Sequence, residues 1–212
     1  TEVLAEEAVK EIRRTTSDDR PFFLHFAPYA VHAPIMPNHR HLDAYEDLDP
    51  KEAAYATMIE STDAAVGRIL ETLDELGLSD RTIVVFTSDN GGLSAHARGG
   101  PPHVHNAPLR SGKGSAYEGG VRVPMVVAGP SSGGMHADGR RVDTPVTVID
   151  LFPTLLDFAG VRMPPAHEPS VDGASIAGLL RDGDDVALPR DRGLAWHMPH
   201  QWGASGPGIE PF

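Results

Sequence analysis

At 212 residues, 40% of them apolar, the chain can bury one sizeable core, and two small domains are the less favoured arrangement. A formal net charge of −12 argues against nucleic acid or an anionic membrane surface as the main partner, although a metal ion and a lysine can reverse the field locally for an anionic substrate. With no cysteine there is no disulfide, thiolate nucleophile or cysteine zinc site, and no apolar run approaches the roughly 18 residues of a membrane span.

Taken in order, Glu2 to Arg14 places Leu4, Ala5, Ala8, Val9 and Ile12 on one helical face, and Thr16 to Asp19 breaks the pattern. Phe22 to Phe26 reads as a short strand, running into a proline-fixed loop that carries His32. His39-Arg40-His41 and the acidic run Asp43 to Asp49 form a surface excursion. Asp49-Pro50-Lys51-Glu52 then has the signature of a helix start: an Asp cap, Pro at the first position and Glu at the third. That helix should run to about Leu76 and bury Tyr55, Met58, Ile59, Thr62, Val66, Ile69, Leu70 and Leu73, with Gly77 closing it. Ile83 to Phe86 is a β-branched run of the kind buried on both faces, and strand–helix–strand implies a parallel sheet.

This strand ends in Thr87-Ser88-Asp89-Asn90-Gly91-Gly92, and ligands in open α/β sheets collect outside the carboxyl ends of strands. Asp89 and Asn90 carry hard oxygen donors suited to Ca²⁺ or Mg²⁺. Lys113, one of only three lysines, follows between Gly112 and Gly114, where its ammonium could meet an anion. Met125 to Ala128 is a further strand, and Ser131 to Gly139 a glycine- and serine-rich turn. Asp150 to Ala159 is a short helix with Asp150 as its cap and Gly160 at its end. In the stretch from 161 to 192 only Ala174 to Leu180 has helical periodicity, and Leu194 to Trp202 is a cluster of aromatics and histidines.

Five segments carry a family resemblance: FFLHFAPYAVHAP, AAYATMIESTDAAVGRILETLDELGL, TIVVFTSDNGG, NAPLRSGKGSAYEGGVRVP, and VDTPVTVIDLFPTLLDFAGV followed by VDGASI. Over roughly residues 1 to 180, in this order, the chain resembles a type I, formylglycine-dependent sulfatase of the alkaline phosphatase superfamily. The resemblance implies a three-layer α/β/α fold with a mostly parallel sheet, incomplete at both ends. Residues 1–190 would be the C-terminal part of the catalytic domain and 191–212 the start of a truncated C-terminal subdomain. It further implies hydrolysis of a sulfate ester, of a sulfated small molecule or carbohydrate, at a Ca²⁺ site (Mg²⁺ being the other hard cation), in a periplasmic or secreted setting.

By position, Asp89 and Asn90 match two of the family's metal ligands. Lys113 matches its lysine on the sulfate oxygens, and His32 a histidine near the sulfate and leaving group. The family's nucleophile is a formylglycine made from Cys or Ser in C/S-x-P-x-R. No such motif occurs here: the nearest run, Ser205-Gly206-Pro207-Gly208, is not followed by arginine. The nucleophile and the Asp-Asp pair that completes the metal site are therefore expected outside these residues, and the isolated chain is expected to be inactive.

Each candidate has a plainer rival. Asp-Asn-Gly-Gly is also turn chemistry, Lys113 also a loop lysine, and His32 also a loop histidine bonded to backbone. Glu118 and Arg122, four apart, read as a buried pair bracing the loop. Arg110 either contacts substrate or braces the loop. His96, His103 and His105 lie between the metal ligands and the lysine. His197 and His200, with Trp196 and Trp202, either line a sugar-binding rim or pack on the core. A phosphatase or phosphonate monoester hydrolase of the same superfamily is the rival activity, and an inactive fragment the rival state. A sheet without its full complement of strands should also expose an apolar edge and favour self-association.

Overall fold

The computed structural model describes residues 1–18, 20–93, 106–130, 135, 139–166, 170–183, 188 and 193–197. The chain divides into two compact units rather than the single core expected from its length: Thr1–Ser79 with Asn90–Val123, and Asp80–Asp89 with Pro124–His197. They are interleaved in sequence, so length and composition carry no sign of the division.

The first unit is built on two helices, α1 (Glu2–Ser17) and α2 (Pro50–Glu75). α1 outruns the expected break, and its terminal hydroxyls turn back onto the helix. Thr15 Oγ1 donates to the Glu11 carbonyl at 2.6 Å, and Thr16 Oγ1 to that of Ile12 at 2.8 Å. α2 begins as expected, with Asp49 accepting from the Lys51 amide at 3.0 Å and Pro50 at the first position. It ends at Gly77, whose φ of 65° suits glycine.

The buried faces of the two packed helices are mostly small side chains. α1 buries Ala5, Ala8, Ile12 and Thr15, and α2 buries Ala53, Ala54, Thr57, Ser61, Ala65, Thr72 and Leu73. This corrects the face expected for α2. Of the large apolar row only Leu73 is fully buried, while Ile59 and Leu70 are exposed. Alanines and back-bonded hydroxyls let helix backbones approach closely. Thr57 and Ser61 satisfy their hydroxyls on the Ala54 and Thr57 carbonyls, both at 2.7 Å. Asn38 ties the intervening loop to α2, its amide donating to Thr57 Oγ1 at 2.9 Å and its side chain to Ser61 Oγ at 2.8 Å.

In the second unit, β1 (Val84–Thr87) pairs with β2 (Met125–Ala128) in register Val84↔Ala128 to Thr87↔Met125. The α/β class and both strands are as read from the sequence, but this ladder is antiparallel. Phe22–Phe26 joins no ladder among the described residues, so the expected parallel strand–helix–strand pairing is not formed there. Opposite partners share a face, and Phe86 and Val126 leave one face of the ladder apolar and exposed.

Two short helices follow, α4 (Leu151–Phe158) and α5 (Ala177–Asp182), a lone turn of helix, α3 (Glu118–Val121), belonging to the first unit. Asp150 precedes α4 but does not cap it in the expected sense. Its fully buried carboxylate reaches back to the Thr147 amide at 2.8 Å and across to the Ala174 amide at 2.9 Å. The α4 residue Thr154 adds a third tie, accepting from the Ile176 amide at 2.9 Å. No helix among the described residues is long and apolar enough to cross a membrane.

Candidate functional site

The candidate site begins where β1 stops. Ser88 and Asp89 are exposed, and the boundary between the two units falls between Asp89 and Asn90. Asn90, half-buried, opens a turn that is fastened to the lysine loop by backbone contacts. The Gly91 amide donates to the Gly120 carbonyl at 2.9 Å, and the Lys113 amide to the Gly92 carbonyl at 3.0 Å. The Gly119 amide donates to the Arg110 carbonyl at 2.8 Å, closing the loop on itself.

Glycine is required for this crossing. A Cβ on Gly91 would lie 1.7 Å from the Gly119 carbonyl oxygen, one on Gly119 2.2 Å from that of Ser111, and one on Gly120 2.1 Å from that of Ser115. Three stretches of backbone thus occupy space that side chains would otherwise fill. Within this frame Gly112 and Ser115 are buried and Lys113 is half-buried. Gly114 and Ser111 both take positive φ, 89° and 66°.

Asn106 completes the fastening, and the sequence reading gave it no role. Its Oδ1 accepts from the Gly92 amide at 3.1 Å, and its Nδ2 donates to the Gly92 carbonyl at 2.9 Å and to the Ser111 carbonyl at 3.1 Å. Fourteen residues separate Asn106 from Gly92, and Asn-Ala-Pro reads locally as a turn, so no short-range pattern announces the contact.

His32 is exposed, with its ring edge-on to Tyr29 at 5.8 Å between centroids. Its amide donates to the Tyr29 carbonyl at 2.9 Å, and Nδ1 lies 2.7 Å from the Ala33 carbonyl. A carbonyl only accepts, so Nδ1 carries the proton. Both polar partners of His32 lie in its own loop.

The remaining candidates sort by contact. The Arg110 guanidinium stacks 4.0 Å from the Tyr117 ring centroid, a bracing contact within the loop. Glu118 and Arg122 pair at 2.8 Å as expected, but with both side chains about three-fifths exposed, which corrects the buried scaffold read from the sequence. His197 is exposed in the second unit beside Trp196, itself half exposed. His96, His103, His105, His200 and Trp202 lie outside the described residues, as do Ser131 to Gly134 of the glycine-rich turn and most of 191–212.

Asp89 and Asn90 carry oxygen donors of the kind a hard divalent cation takes, which has six to eight of them in all. Among the described residues no cluster of three or more carboxylate, imidazole or thiolate groups stands ready to hold a metal. The donor pair fits such an ion in kind and falls short in number.

Comparison with known proteins gives these features a family. The sulfatase family model matches residues 1–161. A sulfatase from Formosa agariphila is 35% identical over 94% of this chain, and canine N-acetylgalactosamine-6-sulfatase 32% identical over 99%. Those matches cover 36% and 41% of the relatives, so the chain spans about two fifths of their length. Among solved structures, Ps i-CgsB superposes with a TM-score of 0.75 at 31% identity, over 84% of this chain and 38% of that one. It has also been solved in complex with k-i-k-neocarrahexaose. The sulfatase PsFucS1 from Pseudoalteromonas sp. superposes with a TM-score of 0.68 at 29% identity, over 85% of this chain and 34% of that one. The fold is accordingly the α/β fold of the alkaline phosphatase superfamily, and the chain belongs to the sulfatase family.

Proposed function

We propose that this chain supplies the cation and anion contacts of a sulfate-ester hydrolase acting on a sulfated carbohydrate. The observation that carries the reading is the hydrogen-bonded union of the Asn90 turn with the Lys113 loop, which sets a metal-type donor and an ammonium on one glycine-packed frame. The name of the canine relative and the neocarrahexaose complex support a carbohydrate substrate.

In this reading Asp89 and Asn90 give two oxygen ligands to Ca²⁺, which when bound neutralises charge on the sulfate and its nucleophile. Lys113 places a compact positive charge on a sulfate oxygen, where charge must be offset as the ester bond breaks. His32, protonated at Nε2, delivers a proton to the leaving oxygen, with the Ala33 carbonyl fixing the ring through Nδ1. The formylglycine nucleophile and the other metal ligands come from sequence outside these residues.

The reading is tested on two levels. Sequence upstream of Thr1 should contain C/S-x-P-x-R and an Asp-Asp pair. The matured full-length product, supplied with Ca²⁺, should then hydrolyse an aryl sulfate or a sulfated oligosaccharide. Lys113→Met should weaken inorganic sulfate binding by roughly tenfold or more, since a charge-assisted contact is lost, while amide protection in α2 shows that the variant is folded. Phosphomonoester turnover without sulfatase turnover, in protein shown by mass spectrometry to carry the aldehyde, would defeat the proposal in favour of a phosphatase.

A further inference from the structure

The Asn106 carboxamide uses both of its ends at once. One end and the other pair with the amide and carbonyl of Gly92, as a strand neighbour would, and the second Nδ2 proton goes to Ser111. Gly92 stands two residues after Asn90, and Ser111 two residues before Lys113. The Lys113 amide returns to the same Gly92 carbonyl at 3.0 Å, so this carbonyl is shared by the side chain and the loop.

Ser111 adds a second, independent sign. It is the non-glycine residue with a φ of 66°, a left-handed conformation that L side chains adopt at a cost. That conformation persists where surrounding contacts over-determine it, and its carbonyl is held by Asn106. Swinging Ser111 back to an ordinary φ would redirect the chain just before Lys113.

We propose that Asn106 is a positioning residue, locking the turn that carries Asn90 to the loop that carries Lys113 and so fixing the separation of cation and sulfate contacts. This rests on the sulfate-site reading above and assigns a role to a residue that touches neither ion. An asparagine is required because the lock needs one acceptor and two donors on one short side chain. Aspartate keeps the acceptor for the Gly92 amide but turns an oxygen towards two carbonyls, and alanine removes all three bonds.

The test uses the matured full-length product as wild type, Asn106→Ala and Asn106→Asp, read by amide hydrogen exchange and by calorimetric titration with Ca²⁺ and with inorganic sulfate. In Asn106→Ala, exchange at Gly92 and Lys113 should accelerate by roughly tenfold or more, while Ala53 in α2 keeps its protection as the check on folding. Sulfate affinity should fall by about the same factor. Asn106→Asp should retain protection at Gly92 and lose it at Lys113, a split that general destabilisation does not produce. Unchanged exchange at Lys113 in Asn106→Ala overturns the lock. Faster exchange with undiminished sulfate and Ca²⁺ binding overturns the positioning role alone. A wild-type full-length product that binds neither ion brings down the sulfate-site reading, and the positioning role with it.

Discussion

Asp150 and Asn106 each hold a loop of this protein in place, and they do it with opposite chemistry. Asp150 is fully buried and accepts from two backbone amides 27 residues apart in sequence, those of Thr147 and Ala174. Asn106 is half-buried and both accepts and donates, to Gly92 and Ser111. The backbone groups that need satisfying decide which side chain serves. Where only N–H groups point inward a carboxylate suffices and gains from its charge. Where N–H and C=O groups alternate, a carboxamide is required. The Asp150 clamp therefore belongs to stability, whereas the Asn106 clamp lies in the loop to which the proposal above assigns the sulfate contact.

Breaking the Asp150 clamp should have the largest effect. Asp150→Ala strands two amides and leaves a hole at a fully buried position, and should lower unfolding free energy by about 3 kcal/mol in urea denaturation. Asp150→Asn, which can still accept once, should fall between Ala and wild type. Equal losses for the two variants would mean that packing rather than hydrogen bonding dominates there.

The second experiment breaks the glycine frame around Asn106 without touching Asn106. Gly91→Ala drives a methyl into the Gly119 carbonyl, a backbone obstacle that cannot rotate away. It should abolish protection at Lys113 and cost about 1–3 kcal/mol, the usual range for overpacking. A fully protected Lys113 amide in that variant would show that the loop closes by another route.

The smallest effect is expected where the same loop carries a salt bridge. Glu118 and Arg122 pair at 2.8 Å but are about three-fifths exposed, so water screens them. Glu118→Gln should change stability by no more than about 0.5 kcal/mol, and less in high salt.

These contrasts also mark what the sequence could disclose. The capping signature at Asp49, the glycine stop at Gly77 and the β-branched runs at Val84 and Met125 are local rules, and they placed α2, β1 and β2. Asp89, Asn90 and Lys113 could be singled out as candidates for the same reason, because they sit in short recurring motifs. Partners distant in sequence were not. Nothing near Asn106 names Gly92, and nothing near Asp150 names Ala174. The buried face of α2 was misread because hydrophobicity scales favour Ile59 and Leu70 over Ala54, Ser61 and Ala65. Close helix contact favours the small residues instead. The antiparallel ladder likewise reflects which strands meet, and a strand's own residues do not specify its neighbour.

The glycine crossing has a consequence for how such a loop can change over time. Its shape is held by main-chain contacts among Gly91, Gly119 and Gly120 and by one carboxamide, none of which points a side chain outward at a ligand. Side chains such as those of Arg110 and Tyr117, which stack on each other, stand at other positions of the loop than these glycines. Selection can vary recognition at those positions one substitution at a time, while the frame tolerates almost none. Engineering of a new specificity should accordingly randomise the presented positions and leave the glycines alone.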